Sequence, residues 1–137
     1  MKIQKLSKVP PKKIGRVNKN GCNPETHESD TALCLAQFGL NIDFVPPRNT
    51  YRANSPDIFM LGSVWEMKAP TTNKESTIKE NFRKAKTQSD RLIFDLRRVK
   101  HEKDDVKQYI LKLFEKPGRV RRLIIIESND LALDFSK

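Results

Sequence analysis

Several protein classes are excluded by what this chain has little of. No apolar run approaches the roughly 18 residues of a membrane span, and the first residues lack the apolar stretch of a secretory signal, so nothing in the chain itself directs export. Cysteine is scarce. Cys22 and Cys34 are the only two, and they form neither a CxxC pair nor a zinc-finger spacing, so they read as incidental thiols of a reducing compartment, with a disulfide between them as the alternative. The two histidines, His27 and His101, are isolated. His27-Glu28 begins like HExxH, but Thr31 stands where the second His belongs, which excludes a zincin. Glycine is rare, and no internal repeat or low-complexity block is present.

What is present points to one folded domain with an anionic partner. At 137 residues and 36% hydrophobic content the chain can build a core without staples. Lys and Arg total 27 against 17 acids, a net charge of +10. Nucleic acid or an anionic membrane surface would suit that balance. Residues 1–20 hold Lys2, Lys5, Lys8, Lys12, Lys13, Arg16 and Lys19 with two prolines and no acid. Such a segment buries too little to order itself, so residues 1–22 are expected to be a basic flexible tail, with 23–137 as the folded domain. The tail is either a solvated linker or an arm on a phosphate backbone, the latter weakening with salt.

Helix signals place a first helix over 24–38, with Asn23 as cap, Pro24 at the first position and Gly39 as the stop. Leu40, Ile42 and Phe44 alternate as in a half-buried strand. Arg48, Tyr51 and Arg52 follow in a basic loop, suited to phosphates and bases or serving as a simple connector. Later come a basic helix over 76–89 carrying Lys79, Arg83 and Lys86, a buried strand at 92–96 and a helix over 104–115. Leu123-Ile124-Ile125-Ile126 suits a central strand, and 131–135 a short final one. This order predicts an α/β protein with a mixed sheet flanked by helices.

Between these lies NSPDIFMLGSVWEMKAP, residues 54–70. It reads as a hairpin with strands 57–61 and 64–68, joined by a type II′ turn at Gly62-Ser63. That register sets Asp57 across from Lys68 and diagonal to Glu66. Alternation puts Asp57, Glu66 and Lys68 on one face and Ile58, Met60, Trp65 and Met67 on the other. Two acids within reach of one cation suit a hard divalent metal, which takes oxygen ligands and keeps several waters. The Met67 carbonyl would add a third ligand. Glu28, on a core-related face of the first helix, is a candidate fourth, and a surface glutamate is the ordinary alternative. Lys68 is placed to hold an attacking water or to neutralise charge developing on a phosphorus centre. The plain alternative is an amphipathic hairpin whose acids pair with Lys68 on a solvent face.

Pro56-Asp57 followed by Glu66-Met67-Lys68 resembles the PD-(D/E)xK nuclease signature, in the form PD-x8-ExK. With HESDTA, FGLNIDFVP, TIKENFRKAKTQSDRLIFDL and LIIIE in the same order, residues 23–127 are similar to the C-terminal tRNase domain of contact-dependent growth inhibition toxins. The resemblance implies a restriction-endonuclease-like αβββαβ core and phosphodiester cleavage with Mg2+, or Mn2+ or Zn2+ in its place. It implies metal ligands at Asp57 and Glu66, a first-helix acid at Glu28, a catalytic Lys68 and a polar residue from the next helix at Gln88, with Thr87 beside it. It further implies tRNA as substrate, an acidic immunity protein as partner, and action in the cytoplasm after delivery as part of a larger toxin. An excised toxin domain and a freestanding relative both fit. A DNase of the same superfamily and a noncatalytic nucleic-acid-binding module remain the alternatives.

Overall fold

The structure, a computed structural model, describes residues 1–46 and 57–137. The loop residues expected to touch nucleic acid, Arg48 and Arg52, lie outside the described residues.

Strands β1 (Lys2–Leu6), β2 (Val17–Asn18), β3 (Ile42–Phe44), β4 (Ile58–Met60), β5 (Ser63–Lys68), β6 (Arg91–Asp95), β7 (Arg122–Ser128) and β8 (Leu131–Ser136) form one mixed sheet. Its order is β1-β8-β7-β6-β5-β4-β3-β2. Helices α1 (Thr26–Gln37), α2 (Glu75–Gln88) and α3 (Lys103–Glu115) flank it. The run α1-β3-β4-β5-α2-β6 is the expected αβββαβ core. Parallel pairing of β5 with β6 and of β6 with β7 follows from the strand–helix–strand connections through α2 and α3.

Alternation in β6 and β7 divides the core in two. Ile93, Ile124 and Ile126 join Leu35, Ile58 and Trp65 on the α1 side. Leu92, Phe94, Leu123 and Ile125 join Ile78, Phe82, Ile110 and Phe114 on the side of α2 and α3. All four residues of the Leu123–Ile126 run are fully buried, as a central strand requires.

Three expectations are corrected. Helix α1 starts later than the Asn23-Pro24 signal suggests, because Glu25 takes the N-cap. Its carboxylate accepts the Glu28 backbone N–H while Glu28 Oε1 accepts the Glu25 N–H at 2.9 Å, a reciprocal capping box.

The basic segment expected to be a flexible tail instead supplies both edges of the sheet. β1 pairs antiparallel with β8, and β2 pairs parallel with β3. Between them a short 3-10 helix, Pro11–Lys13, leads to Gly15, whose N–H donates to the Ala36 carbonyl at 2.8 Å. A Cβ at Gly15 would sit 1.7 Å from the Leu40 carbonyl oxygen, so this close backbone approach admits only glycine. Most side chains of the segment are exposed, and its order comes from main-chain pairing, which a composition argument does not see.

The hairpin register also differs. Met60 pairs with Ser63, Phe59 with Val64 and Ile58 with Trp65, so the two-residue loop is Leu61-Gly62. Leu61 (φ 53) and Gly62 (φ 78) both adopt left-handed backbone, as a type I′ turn demands. The buried Trp65 indole N–H is satisfied by the Met60 carbonyl at 2.8 Å. Continued by one pair, this register puts Asp57 opposite Glu66, not Lys68. The shift is two residues, so the faces stay as expected.

Candidate active site

Asp57 immediately precedes β4. Its N–H donates to the Trp65 carbonyl at 3.2 Å, and its Oδ2 accepts the Met67 N–H at 3.1 Å. The side chain thereby bends across to the strand that carries Glu66 and Lys68. The Met67 N–H is engaged on that edge of β5, and a strand residue directs its carbonyl to the same edge.

Glu66 shares the face of Asp57, on the α2 side of the sheet, and is only 3% exposed. Its Oε2 is buried and has no hydrogen-bond partner among the described residues. Burial pushes its carboxyl up to about 9, helped by the hydrogen bond and the negative charge of Asp57, while the Lys68 charge opposes without cancelling them. In the metal-free fold the Glu66 carboxyl therefore favours its protonated form beside Asp57. Such a pair with an orphaned oxygen favours positive charge, so its donor set fits a hard divalent cation.

Lys68 is half-buried on the same face, at the end of β5. It opens into a cavity of about 250 Å³ that Thr72, Thr77 and Asn81 also line. Thr77 and Asn81 are one helical turn apart on α2, on the flank of its Ile78-Phe82-Ala85 stripe. Thr77 and Asn81, not the expected Gln88, are the α2 polar residues that line the Lys68 cavity, and their i, i+4 spacing is the signal for them. Gln88 ends the same helix, and its neighbour Ser89 donates its hydroxyl to the Val64 carbonyl at 2.9 Å. It lies level with the start of β5, not with Lys68.

Glu28 is half-buried and held by its cap bond to Glu25. Burial raises its carboxyl above the usual range, the cap bond opposes this, and the Asp57 charge adds to the rise. It is thus an electrostatic neighbour of the pair. Among the described residues no three His, Cys, Asp or Glu side chains come close enough together to hold a metal ion, so Glu28 stands outside a ligand cluster.

The basic residues of α2 are less available than their number suggests. Lys79 lies 3.8 Å from Glu75, and Arg83 is bidentate to Glu80. Lys86 is exposed.

A buried network went unrecognised in the sequence. The Thr31 hydroxyl donates to Asp95 Oδ2 at 2.6 Å, and Arg97 grips both Asp95 oxygens. Arg97 also donates to the Asp30 carbonyl and to Asn129 Oδ1, each at 3.0 Å. Burial would raise the Asp95 carboxyl, but the hydrogen bonds from Arg97 and Thr31 outweigh it and hold the group below its ordinary value. The network ties the middle of α1 to the ends of β6 and β7, fixing the helix that carries Glu28. No local signal marks it, since its members are far apart in sequence.

Fold and site together define an α/β domain with a paired-acid site on its sheet. Residues 54–131, more than half of the chain, match the family described as the contact-dependent growth inhibition CdiA C-terminal domain, and the chain belongs to this family. Its fold is similar to a solved chain of the CdiA-CT/CdiI toxin and immunity complex from Burkholderia pseudomallei. The TM-score is 0.60 at 16% identity, over 96% of each chain. No curated protein matches the chain.

Proposed function

We propose that this toxin-family domain is a divalent-metal-dependent nuclease of the PD-(D/E)xK type, with tRNA as its substrate. One observation carries the reading: Glu66, buried beside Asp57, is driven to hold a proton, with Lys68 on the same face. Asp57, Glu66 and the Met67 carbonyl would hold Mg2+ or Mn2+, and Glu28 would act on the ion only through water. When bound, the cation would supply Lewis-acid stabilisation of the phosphoryl oxygens and a more acidic water.

The chain's own groups divide the remaining work. Lys68, anchored at the end of a paired strand, orients the attacking water and offsets charge that grows on the phosphoryl group. Asp57 is held by the Met67 N–H, so its position does not depend on the substrate. The net charge of +10 draws a polyanion toward the domain.

The toxin role implies an acidic immunity protein that covers the basic surface, since complementary charge favours fast capture. A solved relative in fold is itself named as a toxin and immunity complex.

Purified protein should cut tRNA in Mg2+ or Mn2+, stop on chelation, and lose cleavage in Asp57→Ala and Glu66→Ala. If both variants cleave like the parent, the site assignment is wrong. Supercoiled plasmid assayed alongside separates an RNase from a DNase.

A further inference from the structure

A crevice that adjoins the Lys68 cavity has no role in the site described above. The loop after β5 and the loop after β6 stand next to each other at the carboxyl ends of two parallel strands, the position where open α/β sheets bind ligands. Between them is a cavity of about 680 Å³. Thr71, Thr72 and Asn73 bring hydroxyl and amide groups to it, and Arg98, Lys100 and His101 bring basic ones. Among the described residues no carboxylate lines it. Thr71 and Thr72 also wall the cavity that holds Lys68, so the two spaces adjoin.

The crevice is braced. Arg98 donates to the Ala69 carbonyl, clamping one loop to the other, and Asn73 donates to Glu102 at 3.2 Å. Lys100 and His101 are exposed and make no side-chain hydrogen bond or ion pair among the described residues. Lys79 and Arg83 on α2, by contrast, are already engaged by Glu75 and Glu80.

We propose that this crevice is the track for the phosphodiester backbone of the substrate strand on one side of the bond that is cut. Arg98 and Lys100 neutralise phosphates, and Thr72 and Asn73 donate to their oxygens. The shared Thr71-Thr72 wall brings that strand past Lys68. This assignment rests on the nuclease reading of the acid pair, and it sets the direction in which the substrate leaves that pair.

The test is binding of fluorescein-labelled tRNA to the Asp57→Ala chain by anisotropy across a salt series, alone and combined with Lys100→Glu. Lys112→Glu, on the last turn of α3, is the charge-matched control. Lys100→Glu should weaken binding about tenfold and lower the slope of log affinity against log salt by about one, as loss of a phosphate contact requires. Lys112→Glu should leave the slope unchanged. Equal effects of the two substitutions, or none from Lys100→Glu, overturn the track. If the parent cleaves tRNA while Lys100→Glu binds as tightly, only the crevice assignment fails. A parent that neither cleaves nor binds nucleic acid overturns both readings.

Discussion

Replacing Glu66 with glutamine changes the pH dependence of stability in a way that follows from the acid pair alone. In the metal-free fold the Glu66 carboxyl is pushed up to about 9, from an ordinary 4.5. The unfolded chain releases this proton near the ordinary value, so between the two the folded state holds a proton that the unfolded state lacks. Stability must then fall as pH rises through that window, by up to about 1.4 kcal/mol per pH unit. Across the whole window the loss is on the order of 6 kcal/mol, much of an ordinary domain's stability. In Glu66→Gln the side-chain amide has no proton to lose in this range and could still donate to Asp57. Urea unfolding in chelator from pH 5 to 9 should show the parent losing stability steadily and Glu66→Gln remaining nearly flat, becoming the more stable protein at the alkaline end. Parallel profiles for the two proteins would refute the shared-proton account.

Lys68→Ala should reduce cleavage by roughly 10²–10³-fold while changing tRNA affinity little, read by single-turnover kinetics beside anisotropy. Arg97→Ala strands the buried Asp95 carboxylate and should cost about 3–5 kcal/mol, a fall in melting temperature on the order of 10 °C. The depressed Asp95 group adds an acid limit: its contribution is present above the ordinary carboxylate range and is lost as pH falls through its lowered value. Leu61→Gly relieves a left-handed leucine that is half exposed and should stabilise the fold by about 1 kcal/mol, measured by urea unfolding.

The faces of the hairpin were legible because alternation is insensitive to a two-residue slip. The partner of Asp57 was not, since it depends on which two residues turn, and Leu61 is a residue type that gives no sign of a positive φ. Central strands announced themselves through unbroken apolar runs such as Leu123–Ile126. The edge strands β1 and β2 did not, because backbone pairing leaves no side-chain pattern in a segment of lysines. Asn23 and Pro24 carry stronger cap signals than Glu25, yet the exchange between Glu25 and Glu28 decides where α1 starts. The shared face of Asp57, Glu66 and Lys68 was readable from local spacing, and the half-burial of Glu28 from its place on the helix. Thr31, Asp95 and Arg97 meet only through tertiary folding, which no short motif encodes.

On the proposed function, Asp57 and Glu66 exchange a proton for a divalent cation. Calorimetric titration of the metal-free chain with Mn2+ near pH 7.5, in buffers of different ionisation enthalpy, measures this directly. The parent should bind with release of close to one proton per ion, and Glu66→Gln should lose that release. Binding by the parent without proton release, or no binding at all, would contradict the exchange.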